Sequence, residues 1–123
     1  MTITGHHFIA GKSIAPKGSL FKATNPATSQ TLEPAFGEGA DLVDQAMQAA
    51  DAAFDDLRLA PVETRAAFLE TLADEILALG DDLLNLAHAE TALPMARLTG
   101  ERGRAMNQCR MFASLIRDGS WAN

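Results

Sequence analysis

The sequence predicts an α+β fragment: short N-terminal strands, with one β-hairpin, followed by about four amphipathic helices. Three observations predict it. Glycine, proline and asparagine punctuate the first forty residues around short apolar runs. From Asp41 onward the apolar residues recur at three- and four-residue spacings. Charge divides along the same line. Residues 1–40 carry three lysines and two glutamates, residues 41–90 two arginines and twelve acids, and residues 91–123 five arginines and two acids. The organisation expected is a strand-rich lead over 1–40 and a helical segment over 41–123.

In the lead, His7-Phe8-Ile9-Ala10 and Ser13-Ile14-Ala15 flank Gly11-Lys12, the pattern of a hairpin. Leu20–Thr24 is a further strand. Asn25-Pro26-Ala27-Thr28 is a turn, because proline presets φ and the asparagine side chain can bond nearby backbone. Gln30–Phe36 returns as an edge or broken strand, since Pro34 has no N–H to give a ladder.

The first helix starts at Asp41, with Asp41 and Asp44 in its first turn, where the helix dipole favours negative charge. Its apolar face is Val43, Ala46, Met47, Ala50, Ala53, Phe54 and Leu57. Pro61 suits the first position of a second helix, whose apolar face is Val62, Ala66, Leu69, Leu72, Ala73, Ile76 and Leu77. Gly80 interrupts, and Asp81-Asp82 opens a third stretch with Leu83, Leu84, Leu86 and Ala87 inward. Pro94 opens a fourth, with Met95, Leu98, Ala105, Met106, Cys109, Phe112, Ala113 and Ile116 on one stripe and Asp118-Gly119-Ser120 at its end. The few short strands call for a sheet larger than this sequence supplies, because a lone hairpin is marginal in water.

Composition excludes several classes. The chain is 123 residues long, 47% hydrophobic and 21% charged, the balance of a globular rather than a disordered protein. A net charge of -6 disfavours a phosphate backbone, so no nucleic-acid partner is expected. No apolar run reaches the roughly 18–20 residues that cross a bilayer, and the start lacks the pattern of a secretory signal. One cysteine cannot form an internal disulfide, which predicts a reducing, cytoplasmic setting.

The chemistry-bearing residues mostly read as structural. Adjacent His6 and His7 would face opposite sides of a strand. His88 sits late in a helix, where a cation suits the dipole. Cys109 lies in an apolar stripe, where a thiol packs as a small hydrophobe. Gly37-Glu38-Gly39 lacks the third glycine and the βαβ setting of a dinucleotide fingerprint. The last helix is more informative. Arg97 and Arg104 share a face with Glu101, and Arg110 and Arg117 lie on another. Arg102 projects near the middle of the apolar stripe. There it needs a carboxylate or several carbonyl partners, because an unpaired buried charge is costly.

A set of short motifs occurs in order along the chain: Phe8-Ile9-Ala10-Gly11-Lys12, Asn25-Pro26-Ala27-Thr28, Ala46 with Ala49-Ala50 and Ala53-Phe54, Arg65 with Leu69 and Leu72-Ala73-Asp74, and Glu90-Thr91-Ala92-Leu93-Pro94. The set resembles the N-terminal part of the aldehyde dehydrogenase superfamily. Leu32–Phe36, Ala78-Leu79-Gly80-Asp81, and Ala96–Leu98 to Gly100–Arg104 with Arg110, Phe112 and Gly119-Ser120-Trp121 look most like the alpha-ketoglutarate semialdehyde (2,5-dioxovalerate) dehydrogenase branch. One departure is Ala92, where the family usually has glycine; if that residue takes a positive φ, alanine is strained there.

The resemblance implies part of an α/β fold, the incomplete N-terminal portion of a cofactor-binding domain. It also implies the chemistry of a longer NAD(P)-dependent oxidoreductase. A cysteine thiolate adds to an aldehyde, hydride passes to NAD or NADP, and a glutamate base helps water hydrolyse the thioester. The family's Gly-Gln step before its nucleophile is absent, and Cys109, preceded by Asn107-Gln108, does not match it. No catalytic, cofactor-binding or metal residue is therefore carried over, and the fragment is expected to bind no cofactor and to be inactive alone. In related enzymes the last helix of this stretch borders the substrate tunnel. Arg102 or Arg104 is then the candidate for the carboxylate of a semialdehyde, because arginine suits a planar two-oxygen anion. The expected partners are a small-molecule aldehyde and the remainder of the fold, or a second copy through self-association. The alternative is a stand-alone helical interaction or assembly module without catalysis, in which exposed apolar stripes favour self-association.

Overall fold

The computed structural model describes residues 3–122. Contacts divide the chain into two units, Met1–Arg58 and Leu59–Asn123.

In the first unit, β1 (His7–Ile9) pairs antiparallel with β2 (Lys12–Ile14), with Ile9 opposite Lys12. Ala10 and Gly11 form the two-residue turn at φ 50° and 73°. Positive φ at both central residues is what a type I′ hairpin requires, and its twist matches that of the strands. Lys12 therefore belongs to β2, not to the turn where the sequence pattern put it. A second antiparallel pair joins β3 (Leu20–Thr24) to β4 (Thr31–Gly37). Phe21 faces Phe36, with ring centroids 5.8 Å apart, and Lys22 is ion-paired with Glu33. The register shifts between Lys22 and Thr24, across from Pro34. A residue with no N–H cannot complete the ladder there. The turn between β3 and β4 forms as its sequence suggests. The Oδ1 of Asn25 accepts from the N–H of Ala27 at 2.9 Å and of Thr28 at 3.2 Å.

The first unit ends in α1 (Val43–Leu59), entered through a 3₁₀ turn over Ala40–Leu42. Asp41 thus lies in the 3₁₀ turn, and Asp44 is the acid in the first turn of α1. The predicted apolar face is present but uncovered. No residue of α1 is buried, and Met47 is 67% and Phe54 61% exposed.

The second unit is helical: α2 (Val62–Ala78), α3 (Gly80–Thr91) and α4 (Met95–Asp118). Pro61 and Pro94 stand just before their helices, at the N-cap, rather than at the first helical position. Their carbonyls accept the first helical bonds, from Arg65 at 3.2 Å and Leu98 at 3.1 Å. α2 packs along α4, and α3 packs less extensively against α4. The buried residues are Ala66 and Ala73 of α2, Leu84 of α3, and Leu98, Met106 and Ala113 of α4. Alanines seven apart on α2, and Ala113 on α4, let the two backbones come close. Met95 and Phe112, placed on the inward stripe by periodicity, are 37% and 47% exposed. The stripe is wider than its partner helices can cover.

Candidate functional site

Helix α4 carries the polar side chains that concentrate chemistry, and its arginines divide into three environments. Toward its C-terminus, Arg110 Nη2 lies 2.9 Å from Asp74 Oδ1. Arg117 donates through Nε and Nη2 to Glu63, at 2.9 and 2.7 Å, and through Nη1 and Nη2 to Glu70, at 2.6 and 2.8 Å. Pairing of late α4 with early α2 makes the two helices antiparallel. The hydrogen bonds from Arg117 hold both Glu63 and Glu70 below the usual carboxylate range, and the two glutamates raise the pKa of Arg117 in turn. Asp118 is likewise lowered, first by the hydroxyl of Ser120 and then by its N–H. All the guanidinium donors that Arg117 directs at α2 are committed, so this face is a structural tie.

Arg102 is half-buried, and its Nη1 donates to the carbonyl of Gly80 at 2.8 Å. Gly80 sits at φ 60° where α2 gives way to α3, a conformation that a side chain disfavours. The partner of Arg102 is therefore a backbone carbonyl at the α2–α3 junction. Arg102 also walls an open apolar cavity of about 400 Å³, with Ile76 of α2, Leu79 in the α2–α3 junction, Leu83 and Ala87 of α3, and Leu98 and Glu101 of α4.

Arg104 is not among the residues that line that cavity. It stands 78% exposed, with Nε 3.4 Å from Glu101 Oε2, while Arg97 Nε lies 3.0 Å from Glu101 Oε1. The structure thus does not bring the two candidate arginines together. Arg102 faces the α2–α3 junction, and Arg104 faces solvent in an Arg–Glu–Arg row. Sequence spacing shows that row, since four- and three-residue steps put the three on one helical face. It gives no signal for the Arg102–Gly80 bond, which spans 22 residues.

The remaining candidates lie elsewhere, and the Nε2 of His7 is buried without a hydrogen-bond partner among the described residues. His6 Nδ1 lies 2.7 Å from the hydroxyl of Ser13. The ring of His7 rests against Gly39, where an added Cβ would stand 3.1 Å from Cε1. The Nδ1 of His88 lies 2.7 Å from the carbonyl of Leu93 in the turn between α3 and α4. Cys109 is a half-buried free thiol within α4. Gly37-Glu38-Gly39 leads from an antiparallel strand into the 3₁₀ turn. Among the described residues no group of three or more His, Cys, Asp or Glu is placed to hold a metal. Among them, too, no helix is long and apolar enough to cross a membrane.

Comparison with known proteins is specific. The family model described as Aldehyde dehydrogenase family matches residues 14–122. The chain is 46% identical over 121 residues to alpha-ketoglutaric semialdehyde dehydrogenase 2 of Azospirillum brasilense, covering 97% of this chain and 23% of that protein. It is 38% identical over 118 residues to alpha-ketoglutaric semialdehyde dehydrogenase of Acinetobacter baylyi, covering 95% and 22%. The crystal structure of succinate-semialdehyde dehydrogenase from Burkholderia pseudomallei superposes with a TM-score of 0.80 at 30% identity, over 89% of this chain and 23% of that one. The chain thus spans 22–23% of the length of these two curated relatives. Fold, motif order and identity agree: this chain belongs to the aldehyde dehydrogenase family.

Proposed function

We propose that the chain is the N-terminal segment of an NAD(P)-dependent, cytoplasmic aldehyde dehydrogenase that oxidises a carboxylate-bearing aldehyde, alpha-ketoglutarate semialdehyde, to the acid. The observation that carries this reading is the 46% identity to the Azospirillum brasilense relative along 97% of the chain. In this reading residues 1–40 are the strand-rich lead and 41–123 the helical part of an incomplete cofactor-binding domain. The rest of the fold covers the uncovered apolar faces, including Met47, Phe54 and Leu57 of α1. Burial of such faces supplies most of the driving force for docking them.

The described strands form antiparallel pairs, whereas a dinucleotide cradle needs a parallel βαβ unit. These residues do not fit a nicotinamide cofactor, and no step is routed through one. The contribution assigned to this segment is recognition of the substrate carboxylate by an arginine of α4. Arg104 suits that role better than Arg102. Its guanidinium is exposed and meets only an ion pair at Nε, whereas Arg102 already gives Nη1 to Gly80.

The test is steady-state kinetics of the complete enzyme carrying this segment. Arg104→Ala should raise KM for a carboxylated aldehyde about tenfold or more relative to KM for a neutral one, the scale of a lost charge-assisted contact. An equal change for both aldehydes would overturn the assignment.

A further inference from the structure

Arg97, Glu101 and Arg104 share one side of α4: Glu101 Oε1 accepts from Arg97 Nε at 3.0 Å, and its Oε2 forms a longer ion pair, 3.4 Å, with Arg104 Nε. The geometry points to Glu101 as a positioning residue that presents the Arg104 guanidinium to the substrate carboxylate. This inference rests on the assignment of Arg104 to that carboxylate.

Three physical points carry it. First, a guanidinium offers a carboxylate two usable edges, one through Nε and one Nη, the other through both Nη groups. Glu101 lies against Nε of Arg104, which leaves the outer Nη pair free for a planar two-oxygen anion. Second, Arg104 is 78% exposed, so without an anchor its long side chain would sample many rotamers. Holding Nε in advance reduces the freedom lost when an anion binds. Third, a lone glutamate beside the site would repel an anionic substrate. Arg97 sits on the other oxygen of Glu101 at 3.0 Å and offsets that charge. The row of two arginines and one glutamate keeps a net positive charge facing solvent.

Apart from Arg97, which Glu101 also holds at Nε, no arginine of α4 is arranged to do this. Arg110 and Arg117 pair across to carboxylates of α2, and Arg102 is turned to a backbone carbonyl.

The test is a double-mutant cycle in the complete enzyme with Glu101→Gln, Arg104→Ala and the pair. The readout is the KM for a carboxylated aldehyde divided by the KM for a neutral one. Glu101→Gln should raise the ratio about two- to fivefold, the scale of one surface charge contact. It should raise it no further in the Arg104→Ala background, because residues acting as one unit are not additive. A folding defect lowers turnover of both aldehydes and leaves the ratio unmoved. An unchanged or lowered ratio for Glu101→Gln overturns the positioning role. So does an equal rise with Arg104 already removed. If Arg104→Ala leaves the ratio unchanged, the assignment of Arg104 itself falls, and the role of Glu101 falls with it.

Discussion

Ala92 closes α3 in the left-handed region, at φ 55° and ψ 15°, with its N–H donating to the carbonyl of His88 at 2.8 Å. This is the C-terminal cap position that glycine usually fills, because a Cβ there crowds the following carbonyl. Holding an L-residue in this region costs about 1–2 kcal/mol relative to glycine. Glycine in turn loses about 0.4–1 kcal/mol more in backbone entropy on folding. Ala92 is exposed, so removing its methyl sacrifices no packing. Ala92→Gly should therefore stabilise the chain by about 0.5–1 kcal/mol. With a urea m-value of about 1.5 kcal/mol/M, the unfolding midpoint followed by circular dichroism rises by about 0.3–0.7 M. Ala105, exposed in the middle of α4, is the internal control. The same change there should cost about 1 kcal/mol, the ordinary helix penalty of glycine. Both substitutions lowering the midpoint would refute the strain argument.

Two further outcomes follow from the packing and the charges. Glu63 and Glu70 have lowered pKa values because Arg117 hydrogen-bonds to them. Their contribution is present above the ordinary glutamate pKa of 4.5 and is lost as pH falls through the lowered folded values. Melting temperatures of the chain and of Arg117→Met should differ near neutrality and converge in acid below that ordinary value, and a constant gap would contradict the tie. Leu84 is 5% exposed, and Leu84→Ala should cost about 2–4 kcal/mol. Phe54→Ala, at a site 61% exposed, should stay within about 0.5 kcal/mol for the chain alone. A cost at Phe54 matching that at Leu84 in urea unfolding would mean that the face of α1 is covered.

The sequence by itself determined the elements and their punctuation. Period and turn chemistry are local, so Asn25 closing its own turn, proline marking the starts of α2 and α4, and the shift from strands to helices near Asp41 were all legible. The departure from the family's glycine at Ala92 was visible in the sequence, and the structure supplied the positive φ there. The row Arg97, Glu101 and Arg104 was visible because helical spacing alone places it. Only the tertiary structure decided which part of each apolar stripe is buried. Periodicity names a face but not its neighbour, and α2 meets α4 where Ala66, Ala73 and Ala113 allow close approach, leaving Phe112 exposed; within the first unit no residue of α1 is buried. It also decided what the remaining arginines hold. Arg102 reaches the carbonyl of Gly80 and Arg117 reaches Glu63 and Glu70, because the packing of α2 and α3 on α4 brings residues 22 to 54 apart into contact.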